Sequence, residues 1–490
     1  MRRGFRQLPL MLFVGLFVAC SSFGSGDGAP PEAPDASTNP PVGGAARGEV
    51  VLAIAPALAL VHGKTLALDV TITRVPPFTA GMTLTVRGLP SGIGATPVDV
   101  SPTDSTAKLD LVVAQAAAQG PLTGASLEAR SGTAVLAEIP LAGFVQGSSG
   151  ELDTTFGTKG FVALDNDANQ LAIREDGAFY VLEQVGPLAV RKYTKDGVLD
   201  TTFGGGTGLY LSGPATPMST IAWKAPHLFL AGGVEGPSPS WYVRRLDGDG
   251  KLDATYGVGG THVAATVAPN AVRTIGIGPG GEAIVAGSRD GLGGVFWLTS
   301  TGAAENGPAP AGVVFPITQV IHEGTRTVGI GPTSTTVINS STHKLDATFG
   351  YAGYGPTVKM TSIARDGVGK FVLGGLENDK DLIVARLLPT GFADTTFASG
   401  GVLRTALVTN GGGGYVAATG DKVVQVGTVL DGQDYRCLIT RYTSTGASDT
   451  TFGQAGKSIP LVDECYAGQI AAQPDGRLVI SGKKLLRLWP

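Results

Sequence analysis

The chain has 490 residues, a formal net charge of −4 and 16% charged residues, against the ~25% usual in soluble globular proteins. Its 74 glycines are about twice the ordinary share of ~7%, which suits a turn-dense all-β protein. No basic patch stands out, which argues against nucleic acid as a partner, and the length calls for two domains or more unless repeats close into one large ring.

The N-terminus reads as a targeting segment. Arg2, Arg3 and Arg6 precede an apolar run from Leu8 to Ala19 that is too short to span a bilayer as a mature helix. The run ends Leu16-Phe17-Val18-Ala19-Cys20. This resembles a bacterial lipobox, in which small residues precede a cysteine that is lipidated and becomes the mature N-terminus. Phe17 departs from the leucine that the pattern prefers. An ordinary cleaved signal peptide is the alternative. Arg2-Arg3-Gly4-Phe5 also resembles a twin-arginine export signal. Residues 1–20 are therefore expected to be a lipoprotein signal peptide with Cys20 lipidated. The expected location is a membrane-anchored, exported lipoprotein at the outer membrane or cell surface of a Gram-negative bacterium.

No other apolar stretch reaches the ~18 residues of a membrane helix. Residues 21–47 are rich in Gly, Pro, Ser and Ala, including Pro30, Pro31, Pro34, Pro40 and Pro41. They read as a disordered tether spanning about 30 Å root-mean-square.

Over residues 48–146 the pattern becomes period two. Leu66, Leu68, Val70 and Ile72 alternate with Ala67, Asp69, Thr71 and Thr73, as in half-buried strands. Met82, Leu84 and Val86 repeat the pattern, as do Leu109, Leu111 and Val113. Pro76-Pro77, Gly88-Leu89-Pro90-Ser91-Gly92 and Gly120-Pro121 mark turns. About seven short strands in about 100 residues predict an immunoglobulin-like β-sandwich. The segment from Met82 to Ile93 resembles bacterial extracellular Ig-like modules, which implies a spacer or interaction module. Gln146 to Gly150 reads as the linker out.

From residue 151 to 490 the chain repeats one phrase. Leu152-Asp153-Thr154-Thr155-Phe156-Gly157 returns at Asp200, Asp253, Asp346, Asp394 and Asp449, with spacings of 47, 53, 93, 48 and 55 residues. A period of roughly 40–55 residues signals a stacked or radial repeat. The longest gap holds a degenerate copy with Glu305 in the aspartate slot, giving seven units. Each phrase is followed by four short strands joined by Gly turns, such as Asp176-Gly177 and Asp196-Gly197. A ring of such meanders is a β-propeller, here seven-bladed. Asp475-Gly476 and Gly280-Gly281 are expected to form type I′ hairpins. The repeated region begins with a phrase and its first short strand, and it ends at Leu485 to Pro490, which matches the fourth strand after a phrase. The strand after Asp153 is thus expected to close the ring as the outer strand of the last blade. The phrase, its spacing and the basic strand before it resemble the delta-60 repeat family of bacterial β-propellers. That resemblance implies a secreted or surface propeller and supplies no catalytic residues.

A motif copied around a ring is read as packing, with the Asp carboxylate capping nearby N–H groups and the aromatic lying between blades. A basic residue stands eight before most of the aspartates: Lys192, Arg245, Arg386 and Arg441, with Arg487 reaching Asp153 by closure. These predict an Arg–Asp brace. Asp247-Gly248-Asp249 and Asp165-Asn166-Asp167 have the look of calcium loops but offer few acids, so the expectation is no cofactor, with calcium the alternative. His62, His227, His262, His322 and His343 stand singly and match no metal-ligand spacing. Cys437 and Cys465 are expected to form a disulfide worth about 2–4 kcal/mol.

Candidate binding loops lie on one face: Trp241, Asp290, Asp379, Asp381, Asp431, Tyr435, Asp463 and Glu464, with Trp241 and Tyr435 as anchors. They suit a basic peptide, a cation or a glycan. The functional expectation is a lipid-anchored envelope protein whose propeller binds or scaffolds a protein, peptide or glycan, and which is not an enzyme. The alternatives are a propeller hydrolase or lyase with a site at the channel mouth, and a structural or adhesive surface protein.

Overall fold

The computed structural model describes residues 42–43, 45–46 and 49–490, apart from 77, 184–188, 212–217, 235–239, 266–270, 290–291, 306–314, 324–325, 333–334, 340–341, 347–348, 350–357, 379, 407–411, 432 and 463–464. The signal segment with Cys20, most of the tether, and Asp290, Asp379, Asp463 and Glu464 lie outside the described residues. No helix among the described residues is long and apolar enough to cross a membrane.

The described residues from Val42 to Gln146 form two five-stranded sheets and one three-stranded sheet, with Val42–Gly43 and Ala45–Ala46 each adding an edge strand. Alternation decides which side chains turn inward. In the strand Thr65–Arg74, Leu68, Val70 and Ile72 are buried while Asp69, Thr71 and Thr73 face solvent. A single core joins Leu52, Leu68 and Leu109 of one large sheet to Leu84, Leu127 and Ile139 of the other. There are eleven strands from Val50 to Gln146 rather than about seven. Pro90 and Pro97 lie in the breaks that precede the short edge strands Ile93–Ala95 and Val98–Val100, and Pro121 lies within the three-residue edge strand Gly120–Leu122.

Among the described residues, 161–488 form seven antiparallel sheets, six of four strands and one of three. We number them by their first strands: Ala168–Ile173, Met218–Lys224, Ala271–Ile277, Gln319–Glu323, Val358–Arg365, Gly412–Thr419 and Gln469–Ala472. Each first strand touches the next in order, and the seventh touches the first. This closed cycle has the organisation of a β-propeller. The outer strand of the first sheet, Leu209–Leu211, follows the Asp200 phrase. Correspondingly, Phe161–Ala163 pairs with Lys484–Leu488 as the outer strand of the seventh sheet.

The tight hairpins differ from the type I′ expectation. Gly476 has φ +83° and Gly281 φ +89°, but Asp475 and Gly280 before them are not left-handed. Gly476 N–H donates to the Gln473 carbonyl and Gln473 N–H to that of Arg477, both at 2.9 Å or less. This is a type I turn with a glycine bulge, which needs one left-handed residue instead of two.

Candidate functional site

The repeated aspartates sit where each sheet's third strand turns toward its outer strand. In five phrases the threonine two positions after the aspartate donates to its carboxylate through both backbone N–H and hydroxyl, as Thr155 does to Asp153, Thr202 to Asp200, Thr255 to Asp253, Thr396 to Asp394 and Thr451 to Asp449. The basic residue eight positions earlier then meets the other oxygen. Arg386, Arg441 and Arg245 lie 2.7–2.8 Å from Asp394, Asp449 and Asp253. Lys192 lies 2.8 Å from Asp200. Arg487 reaches Asp153 at 2.8 Å across the ring closure, both side chains fully buried.

The braces also tie neighbouring sheets. Arg245, Arg386 and Arg441 each stack over the phrase aromatic, Tyr256, Phe397 and Phe452, at 4.6–4.7 Å. The Arg245 and Arg386 guanidiniums donate to the carbonyls of Ser300 and Ser444 in the following sheet. The aromatic in turn lies against a turn glycine of that sheet. A Cβ on Gly197 would stand 2.7 Å from the Phe156 ring.

A second cation completes several braces, and the sequence reading missed it. Lys370 lies 2.9 Å from Asp394, Lys422 2.8 Å from Asp449 and Arg477 3.3 Å from Asp153; Arg326 takes the same place 3.2 Å from Asp346, where Ile338 stands in the position of the first cation. Each stands at, or one residue before, the start of its sheet's second strand, so its sequence signal is a basic residue between the Gly turn and an apolar run. Hydrogen bonds from Lys192 and then Thr202 lower the Asp200 carboxyl to about 2. Burial alone would raise Asp394 and Asp449, but the Thr396 and Lys370 hydrogen bonds, and those of Lys422 and Thr451, outweigh it and hold both well below the usual range. The degenerate unit replaces the guanidinium: Glu305 meets His343 at 3.2 Å, and that imidazole stacks on Trp297 at 4.3 Å.

The inner ring follows a second phrase that the sequence reading also missed. A polar side chain, a branched residue and a small one recur: Gln170-Leu171-Ala172, Ser362-Ile363-Ala364, Gln469-Ile470-Ala471 and, with Ile321 as the departure, Gln319-Val320-Ile321. First strands are the inner edges of their sheets, so their N–H groups need partners from outside. Gln170 accepts from Ile221 N–H at 2.9 Å, Gln319 from Ile363 N–H at 2.6 Å and Gln469 from Leu171 N–H at 2.6 Å. Thr274 and Ser362 hydroxyls do the same for Val320 and Val416. The Gln469 bond joins the seventh sheet to the first. Between these strands lies a cavity of about 270 Å³ lined by Gln319, Ser362, Ala364, Ala417, Gln469 and Ala471, among others.

The candidate loop residues fare differently. Trp241 is not an exposed anchor. It is 1% exposed, in the strand Ser240–Leu246, with its ring 4.7 Å from Phe296 of the next sheet and 5.3 Å from His262. Its position at the strand start turns the indole toward the neighbouring sheet, where burial of so large an apolar surface is favourable. Asp381 opens the third strand of the fifth sheet, opposite Glu377, and Asp431 closes the second strand of the sixth, opposite Asp434. Tyr435 is 41% exposed and its ring lies 4.9 Å from that of Tyr466, itself 42% exposed. Cys437 and Cys465 are joined as a disulfide with Cα atoms 5.2 Å apart. Beside it, Cys465 N–H donates to the Tyr435 carbonyl at 3.0 Å. The cross-link thus fixes the loop that carries Tyr466 against the strand that carries Tyr435.

The two calcium-like loops use their acids locally. Asp247 accepts from the N–H groups of Asp249 and Lys251 at 2.9 Å, and Asp165 pairs with Arg191 at 3.0 Å. Among the described residues, no group of three or more His, Cys, Asp or Glu side chains is placed to hold a metal.

No family model matches the chain, and no curated protein matches it. Among solved structures it is similar to the WD40 domain of Neurospora crassa Pan2, at 8% identity and a TM-score of 0.42, covering 66% of this chain and 88% of that one. It is also similar to Chaetomium thermophilum Raptor, at 10% identity and 0.43, and to the extracellular domain described for a two-component system of B. thetaiotaomicron, at 9% and 0.39. Each of these aligns with 67% of this chain, which spans 28% and 39% of their respective lengths. At such TM-scores these likenesses carry no weight for the site.

Proposed function

We propose that the chain is an exported, lipid-anchored envelope protein whose seven sheets are the blades of a delta-60-type propeller, used to bind or scaffold another envelope component. Residues 48–146 are then an Ig-like sandwich that carries the propeller. The observation that supports binding over catalysis is the chemistry of the ring interior. The aspartates and arginines of the repeat hold blade corners together, and the cavity wall is Ala, Val and Ile with Gln319, Gln469 and Ser362, whose side-chain oxygens already accept from neighbouring strands. Hydrolase or lyase chemistry requires convergent acid and base groups at a channel mouth. The exposed Tyr435–Tyr466 pair, held by the disulfide, is the contact surface proposed for the partner: aromatic faces with hydroxyl tips suit a peptide or glycan.

The test uses the chain from residue 21 onward, co-sedimented with purified sacculi and with outer-membrane vesicles. Saturable binding that weakens at least tenfold in both Tyr435→Ala and Tyr466→Ala supports the reading. Non-saturable uptake that neither substitution alters refutes it. Lipid anchoring is read separately, from radiolabelled palmitate incorporation that Cys20→Ser abolishes.

A further inference from the structure

We propose that the sandwich is a clamp on the seam of the ring, bonding both segments that close it, so that docking of the sandwich and closure of the propeller form one cooperative unit.

The seam is unlike the other corners. In the first, second, fifth and sixth sheets a continuous turn joins the third strand to its phrase; in the first sheet Thr194 N–H donates to the Val198 carbonyl across that turn at 2.8 Å. In the seventh sheet the turn is cut into two pieces far apart in sequence. One is Trp489-Pro490, following the strand Lys484–Leu488. The other is Ser149 to Glu151, leaving the sandwich. No covalent link runs through the turn, and the pieces are joined by backbone hydrogen bonds, Gly150 N–H to the Trp489 carbonyl, Trp489 N–H to that of Glu151, and Asp153 N–H to that of Arg487, at 2.8–2.9 Å, beside the buried Arg487–Asp153 pair. Ser149 and Gly150 take the place that Asp196 and Gly197 take in the first sheet. Gly453 N–H donates to the Ser149 carbonyl as Gly157 N–H donates to that of Asp196, both at 2.8 Å. Residues just before 151 are thus part of the ring.

The sandwich sits on this cut. One carboxamide, that of Gln119, bonds both pieces. Its oxygen accepts from the Trp489 indole N–H at 2.9 Å and from Thr154 N–H at 2.8 Å, and its amino group donates to the Leu152 carbonyl at 3.1 Å. The Trp489 ring is 3% exposed, held between Phe144 of the sandwich at 6.1 Å and the Arg477 guanidinium at 4.3 Å. Glu151 is drawn the same way: the His62 ring nitrogen lies 2.8 Å from its carboxylate, and Gln115 donates to the other oxygen. Ser148 hydroxyl donates to the His62 carbonyl at 2.9 Å. The connecting segment has little slack, because Gln146 still belongs to the strand Gly143–Gln146 paired with Leu58–Val61.

Every other described corner has a covalent turn to hold its strands together, whereas this one can part without breaking the chain, which makes it a natural place for local opening. The sandwich removes that weak point by bridging the two pieces, and it fixes the propeller's orientation on whatever the tether is attached to.

Hydrogen exchange of the full chain tests this. Gln119→Ala removes the bridge without touching the core of either domain. It is expected to raise amide exchange about tenfold in Phe161–Ala163 and Lys484–Leu488, leaving Phe371–Glu377 of the fifth sheet and Thr65–Arg74 of the sandwich unchanged. Trp489→Phe, which keeps the ring and removes only the indole N–H, is expected to do the same to a smaller degree. Seam exchange unchanged in both variants, or raised equally in all sheets, would overturn the clamp.

Discussion

Arg386→Met measures what one brace contributes. Arg386 is 2% exposed, donates to Asp394 at 2.7 Å and to the Ser444 carbonyl at 2.5 Å, and lies 4.6 Å over Phe397. Losing a charge-assisted hydrogen bond costs about 1.5–3 kcal/mol, a second bond about 1, and the cation–π contact about 1. Met keeps part of the apolar stem contact, and Lys370 remains 2.9 Å from the carboxylate, so a net loss of about 3 kcal/mol is expected. A ring of about 340 residues carries an unfolding entropy near 0.7 kcal/mol/K, which converts that loss to a Tm lowered by about 4 °C. The assay is a circular-dichroism melt at pH 7, repeated at several scan rates to guard against irreversibility. A pH series adds a second reading. The folded Asp394 carboxyl is depressed, so its stabilisation is present above the unfolded value near 4 and is lost as pH falls through the folded one. Arg386→Met is therefore expected to flatten the fall in Tm below pH 4. A variant that melts within 1 °C of the parent, with the same acid slope, would show that the brace is not stabilising.

Two further substitutions probe the corners. Gly197→Ala places a methyl 2.7 Å from the Phe156 ring at φ +78°, whereas Gly205→Ala, at φ +75°, meets nothing within 4 Å. The first is expected to cost about 3 kcal/mol and the second about 1, read as chemical-denaturation midpoints, because only the first adds overpacking to backbone strain. Tyr256→Phe is expected to raise stability by about 1 kcal/mol in the same assay, since the Tyr256 hydroxyl is buried without a hydrogen-bond partner and the other phrase aromatics are phenylalanine; a loss of stability would contradict this.

Much of the ring was legible in the sequence because its corners are local. Asp, Thr and Phe within four residues bind one another's backbone, and an arginine eight positions away shares the same hairpin. The pairing of Arg487 with Asp153 followed from counting strands at the two ends. What lay beyond the hairpin was harder to see. The second cations, such as Lys370 and Lys422, and the glutamines of the inner strands act on residues 24 to 51 positions away within the ring, and one reaches across 298 at its closure. Their signal is weaker than the phrase because one position tolerates Lys, Arg or His and the other Gln, Thr or Ser. Trp241 shows the limit from the other side: a loop-adjacent aromatic resembles an exposed anchor until the neighbouring sheet covers it.

The repeat and its aspartate corners could be read from the chain because short-range turn chemistry sets each corner, and the order of strands between phrases carried the closing strand with it. Where the sandwich sits and which aromatics reach solvent depend on contacts between segments far apart in sequence. Gln119, His62 and Trp489 belong to no repeated pattern, and their bonds exist only once the sandwich, residues 148–154 and the strand Lys484–Leu488 have come together.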